Sequence, residues 1–230
     1  MPAQPSRHDL LLLDRDGWAA TLRRHPALAA MKPVRAWAER GFPAIARRRL
    51  PEDPPEAWPA AIAMPPSQGR LRLALALDAA DVATIVPPPL LQDAIEGRLA
   101  GRLPEAWTDK AARLIATGAR YGLAPRLFGS AMWQCVTAQP YVTDTSDLDL
   151  LWRVPARPTA VLDLPALAGE LDEIARRDGP GLDGEILFQG IGAVHWREWL
   201  GAAPTDSLLV KRDNGVALVG RAELPGLATA

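Results

Sequence analysis

The stretch Thr143–Trp152, TDTSDLDLLW, sets two aspartates two residues apart inside an apolar, strand-like run. Along a β-strand, residues i and i+2 point to the same side. Asp147 and Asp149 therefore share one face, while Leu148 and Leu150 share the other and enter a core. Two carboxylates at that separation repel one another. Solvation relieves the repulsion on an ordinary surface strand. A hard divalent cation relieves it with charge, and magnesium takes carboxylate and phosphate oxygens, with waters completing its octahedron. Alone, the pair fits the solvated strand better, because short motifs match by chance.

Two neighbouring segments shift that balance. Upstream, RLFGS ends a short strand at Gly129-Ser130, just before AMWQCVT, one or two helical turns. Such a bend offers backbone N–H groups at a helix start, a hydroxyl donor, and a glycine that lets an anion approach closely. A plain helix cap has the same appearance. Downstream, LDGEILF (182–188) sets Asp183 and Glu185 on one face of another strand. Either could supply a third carboxylate, and spacing alone does not choose between them or exclude a solvated turn.

Outward from this centre, PEAWTDKAARLIATGARYG reads as a helix with Trp107, Ala111, Leu114, Ile115 and Gly118 on one face. LLQDAIEGRLAGRL reads as a shorter helix ending near Gly101. DSLLVKRDNGVALVG reads as a hairpin in which Asn214-Gly215 supplies the positive φ angles of a tight turn. In the first third, RLRLALALD places Leu71, Leu73, Leu75 and Leu77 on one strand face, and PAIARRR (43–49) suits a strand with arginines at its exposed end. The 23 prolines cluster at PEDPP (51–55), at 65–66 and at PPP (87–89), and the last cluster is the expected border. The expectation is an α+β fold. A small N-terminal α/β unit (1–86), assigned to substrate or partner binding, precedes a mixed sheet flanked by helices (87–230), assigned to catalysis.

The chain has 230 residues, a formal net charge of -1 and 48% hydrophobic residues. That charge balance argues against a nucleic-acid binder driven by bulk electrostatics. The single cysteine, Cys135, can form no intramolecular disulfide and reads as a small buried hydrophobe. The apolar run Leu10–Leu13 is too short for a secretion signal, and no stretch is long enough to cross a bilayer. A cytoplasmic location is expected, with no membrane and no nucleic-acid partner. His8, His25 and His195 are too scattered for a helical zinc motif, and neither a Walker A motif nor a dinucleotide fingerprint is present.

Strand, Gly-Ser, helix, then Ser-Asp-x-Asp on a strand and a later acidic strand together resemble the DNA polymerase beta-like nucleotidyltransferase superfamily. Seventeen positions separate Ser130 from Asp147, a longer spacing than in many of its members. The wording of FGSAMWQCVTAQPYVTDTSDLDLLW is similar to the phosphoribosyl-dephospho-CoA transferases of malonate decarboxylase, the holo-[acyl-carrier-protein] synthases. Gly129-Ser130, Trp133-Gln134, Thr137, Tyr141 and Ser146–Leu151 carry this resemblance, with LDGE (182–185), VHWREW (194–199) and LLVK (208–211). Upstream, RHDLLLL (7–13), GFPAIARRR (41–49), AIAMPP (61–66) and RLRLAL (70–75) extend it over most of the chain. Ala138 departs from the pattern, which has glycine after the threonine.

The resemblance implies a donor, 2'-(5''-triphosphoribosyl)-3'-dephospho-CoA, and an acceptor serine on the acyl carrier protein subunit of malonate decarboxylase, with pyrophosphate released. It implies two magnesium ions held by Asp147, Asp149 and a third carboxylate, for which Glu185 is the choice and Asp183 the alternative. Gly129, Ser130 and Lys211 would bind the phosphates, Lys211 as a point charge. Trp133 and Gln134 would frame the pocket or belong to the core. Arg47, Arg48 and Arg49 would meet the dephospho-CoA arm or an acidic carrier surface, or form a solvated face. His195 reads as structural, with Arg197 beside it available to phosphate. The competing readings are a nucleotidyltransferase with another acceptor and an inert carrier-binding scaffold.

Overall fold

The computed structural model describes residues 4–155 and 162–224. Two compact units divide it, the first running to Pro88 and completed by 139–141 and 213–215, the second holding the rest.

In the first unit β1 (Leu10–Leu12), α1 (Arg15–Arg24), α2 (Pro26–Ala29), α3 (Lys32–Glu39), β2 (Ala44–Ala46), β3 (Trp58–Ala63), β4 (Arg72–Leu77) and β5 (Thr84–Val86) form a helical layer and a five-stranded sheet ordered β4-β3-β2-β1-β5. Every described pairing in this sheet is antiparallel. The Asp14 carboxylate starts α1 by accepting the Gly17 N–H, as an N-cap aspartate does. Trp18 and Trp37 are buried, and their indole N–H groups donate to the Phe42 and Pro43 carbonyls. Each buried ring adds roughly 1.5–3 kcal/mol of transfer free energy without an orphaned donor. In β4, Leu75 and Leu77 are buried and Leu73 is half-buried, while Leu71, just before the strand, is exposed, so the alternation is real but its leading end faces water.

Arg47 and Arg49 are committed inside this unit. Arg47 makes a two-pronged ion pair with Asp53 and donates to the Ala60 carbonyl, and its guanidinium holds the Asp53 carboxyl below the usual carboxylate range. Arg49 donates to the Pro54 and Ala57 carbonyls. Two of the three arginines are thus structural rather than a free cationic face.

The second unit contains α4 (Leu91–Ile95), α5 (Thr108–Arg120), β6 (Arg126–Leu127), α6 (Gly129–Thr137), β7 (Leu148–Val154), α7 (Leu164–Ala175), β8 (Leu182–Phe188), β9 (Gly192–His195), α8 (Trp196–Gly201), β10 (Ser207–Arg212) and β11 (Gly215–Gly220). Its six-stranded sheet runs β11-β10-β9-β8-β7-β6. The β7–β8 pair is parallel and is connected through α7, while β6–β7, β8–β9 and β9–β10 are antiparallel. That mixture matches the α+β expectation. Leu148, Leu150, Trp152 and Val154 are all buried along β7. Helix α5 comes so close to this layer that a methyl group at Gly118 would meet the Leu123 carbonyl at 2.4 Å and the Trp152 ring at 3.0 Å.

Three local expectations change. Helix α4 spans five residues rather than reaching Gly101, because Gly97 and Gly101 each cost about 1 kcal/mol in a helix and the chain turns through them. The hairpin forms, but neither Asp213 nor Asn214 adopts positive φ; that falls on Gly215 alone. Helix α6 is nine residues long and closes on Ala138 in the left-handed region, φ 57° and ψ 21°. Among the described residues no helix is long and apolar enough to cross a membrane.

Ala138 occupies the helix-ending position where glycine is favoured, and its side chain is exposed. A left-handed L-residue costs about 1–2 kcal/mol. Ala138→Gly should therefore stabilise the protein by about 1 kcal/mol, raising the melting temperature by about 2–4 °C in a chain of this size. Calorimetry of the two proteins reads this directly; a lower melting temperature for the glycine variant contradicts the cap geometry.

Candidate active site

A short turn delivers the aspartates to the sheet. The Ser146 N–H donates to the Thr143 carbonyl at 2.9 Å, and the Thr143 N–H donates to Ser146 Oγ at 2.9 Å. Ser146 is thus a turn residue that presents Asp147 at the mouth of β7. The Leu148 N–H then donates to the Gly181 carbonyl at 2.7 Å, fixing where β7 begins against β8. Asp147 is exposed and Asp149 half-buried, between Leu148 and Leu150, which are fully buried.

Glycines accommodate both carboxylates. A Cβ built on Gly129 would lie 1.9 Å from Asp149 Oδ2, and one built on Gly181 would lie 2.0 Å from Asp147 Oδ1. Gly129 also has φ 63°, a conformation glycine adopts at no steric cost. The Phe128 N–H donates to the Asp149 carbonyl at 3.1 Å. The bend at the start of α6 and the second aspartate of the pair are therefore in direct contact.

Lys110, on α5, supports the same edge. It is 3% exposed, and its ammonium donates to the Pro180 carbonyl at 2.7 Å. Burial pushes its pKa down. Holding Pro180 holds the adjacent Gly181, against which Asp147 rests. No feature of the sequence near Lys110 marks it; only the packing of α5 against the chain entering β8 does.

Across the parallel pair, Asp149 is level with Asp183, and Leu151 with Glu185. Glu185 therefore stands about 7 Å further along the strand than the acid that faces Asp149. It is 5% exposed and accepts from Lys211 Nζ at 2.9 Å. The expectation that Glu185 completes the acidic set and that Lys211 serves phosphate meets this pairing: the two neutralise each other. Asp183 is half-buried, and its Oδ1 accepts the Gly184 N–H at 2.7 Å and lies 2.6 Å from His195 Nε2. His195 is the residue that sequence reasoning left out of the site. Its register opposite Glu185 on β9 puts it beside Asp183, and only the pairing of β8 with β9 shows that.

The other residues singled out from sequence have structural work. Trp133 is buried. The Gln134 amide donates to the Arg102 carbonyl at 2.6 Å and accepts the Val142 N–H at 2.9 Å. The Arg197 guanidinium lies 4.4 Å from the centre of the Trp196 ring. Burial raises the Cys135 thiol to about 12, so it stays protonated and unreactive at neutral pH.

Among the described residues, no group of three or more His, Cys, Asp or Glu side chains is arranged to hold a metal ion. Magnesium seldom requires one: one or two carboxylates with substrate phosphates and water usually suffice. Asp147 and Asp149, two residues apart at the start of β7 with the Gly129 bend against the second, fit that donor set.

The phosphoribosyl-dephospho-CoA transferase MdcG N-terminal domain matches residues 6–88, and the MdcG C-terminal domain matches residues 91–222. A phosphoribosyl-dephospho-CoA transferase from Xanthomonas campestris pv. campestris is 34% identical over 218 residues, 95% of each chain. One from Bradyrhizobium diazoefficiens is 34% identical over 227 residues, 98% of this chain and 94% of the relative. No solved structure matches the chain significantly.

The two glycine contacts predict different responses to alanine. Gly129→Ala combines a collision with a left-handed backbone and should cost about 1–2 kcal/mol or more. Gly181→Ala has no such backbone demand and meets only the tip of an exposed side chain, so it should cost less than about 0.5 kcal/mol. Urea unfolding measures both; equal losses contradict the geometry at Gly129.

Proposed function

We propose, from the premise that the chain belongs to the phosphoribosyl-dephospho-CoA transferase family and is therefore a transferase, that its acceptor is a serine of an acyl carrier protein, that of malonate decarboxylase. The donor in this reading is 2'-(5''-triphosphoribosyl)-3'-dephospho-CoA, and pyrophosphate is released. The observation that carries it is the contact between the Asp149 carboxylate and the Gly129 bend. A polyphosphate bound at that bend lies beside the acid pair.

The residues of the chain divide the work. The first amides of α6 and the Ser130 hydroxyl bind and orient the triphosphate, and Gly129 allows the close approach. Asp147 and Asp149 would hold magnesium, which when bound would neutralise charge on the leaving pyrophosphate and make the acceptor hydroxyl more acidic. Asp183, level with Asp149 and open to solvent, is the acid available to accept the hydroxyl proton. Glu185 and Lys211 form a neutral pair that stiffens the sheet behind it.

Incubation of the folded protein with apo carrier, the triphosphoribosyl precursor and magnesium should add one phosphoribosyl-dephospho-CoA group to the carrier, read by intact mass. Asp149→Asn should slow the transfer by about 10²–10³-fold, the scale of losing one charge-stabilising group. No mass gain with the wild-type protein overturns the reading. Modification of a different acceptor with ordinary nucleoside triphosphates would replace it with the more general nucleotidyltransferase.

A further inference from the structure

His195 has two hydrogen bonds that together determine its protonation pattern. Its Nδ1 accepts the Arg197 N–H at 3.1 Å, where the side chain caps the start of α8. A ring nitrogen that accepts carries no proton. In the neutral imidazole the other nitrogen must then be the donor, and Nε2 lies 2.6 Å from Asp183 Oδ1. The cap at one end of the ring thus dictates a donor at the other end. The imidazole also lies almost parallel to the Trp196 ring, at 17° and 6.2 Å between centres, which limits its rotation.

Both donors to Asp183, the imidazole and the Gly184 N–H, fall on the same oxygen, Oδ1. The Asp183 side chain is 44% exposed, and neither of these two bonds falls on Oδ2. A carboxylate with one oxygen tied on two sides has a single orientation, and that residue faces Asp149 across the strand pair.

We propose that His195 is a positioning residue for Asp183, aiming Oδ2 at the acceptor hydroxyl; this rests on the transfer reading above. In the step it serves, the serine oxygen forms a bond to the α-phosphorus. The bond from that phosphorus to the β-bridging oxygen breaks, and pyrophosphate leaves with the electron pair. The hydroxyl proton passes to Asp183 Oδ2. His195 exchanges no proton in this step. It keeps Oδ1 occupied so that Oδ2 is the oxygen presented.

His195→Asn separates this role from helix capping. Asparagine is a strong cap and can still accept the Arg197 N–H, but it lacks the distal nitrogen that reaches Asp183. The variant should melt within about 2 °C of wild type, yet its kcat should fall by about 10²-fold, the scale of a mis-set general base, with KM for the donor little changed. A residue needed only as a cap predicts an Asn variant as active as wild type, and that result overturns the proposal. A ¹⁵N spectrum of the imidazole at neutral pH gives a reading independent of turnover. Nε2 protonated and Nδ1 bare is expected; the opposite tautomer overturns the proposal. If wild-type protein transfers nothing, the transfer reading fails instead, and the spectrum still decides whether His195 donates to Asp183.

Discussion

The parallel register of β7 and β8 is the constraint on which the rest depends. It sets Asp149 level with Asp183 and Leu151 level with Glu185, so Asp183, and not Glu185, stands directly across from Asp149. The bond from the Leu148 N–H to the Gly181 carbonyl fixes that register at its edge. A slip of one residue would turn every side chain of β7 to the opposite face, sending both aspartates into the layer occupied by Leu148, Leu150 and Trp152. The buried face is thus what enforces the acidic one.

Gathering carboxylates carries an electrostatic cost, and the sheet meets it differently at each position. Glu185 is too deeply buried to rely on water, and Lys211 supplies the opposite charge. Asp183 keeps solvent on one side and takes a neutral donor, His195, together with a backbone amide. Asp147 and Asp149 rest against Gly181 and Gly129, whose missing Cβ atoms make room for the carboxylates themselves.

Local patterns in the sequence predict local structure well here. The two-residue period of DLDLL foretells the burial of Leu148 and Leu150, though not that of Leu151 on the aspartates' face, and the helical spacing of Ala111, Leu114 and Gly118 matches the inner face of α5. The Gly129-Ser130 bend and the hairpin strands at 207–220 are also legible. The different surroundings of Asp183 and Glu185 are not, because both lie on one face of one strand and only pairing with other strands gives the first a histidine and the second a lysine. The same limit hides His195, whose partner lies across a β-hairpin, and Lys110, whose role comes from packing between helices and a loop. The short strands β1 and β5 carry three residues each, too few for a period to show, and the alanines of β3 blur its alternation.

The central claim is that the Gly129 bend and the Asp147–Asp149 pair form one polyphosphate site. Calorimetric titration of pyrophosphate, with and without magnesium, tests it without need of the carrier or the donor. Saturable binding that requires magnesium in the wild-type protein, and its loss in a folded Asp147→Asn, Asp149→Asn double variant, is the result the account predicts. Equal affinity in the two proteins, or binding indifferent to magnesium, would contradict it.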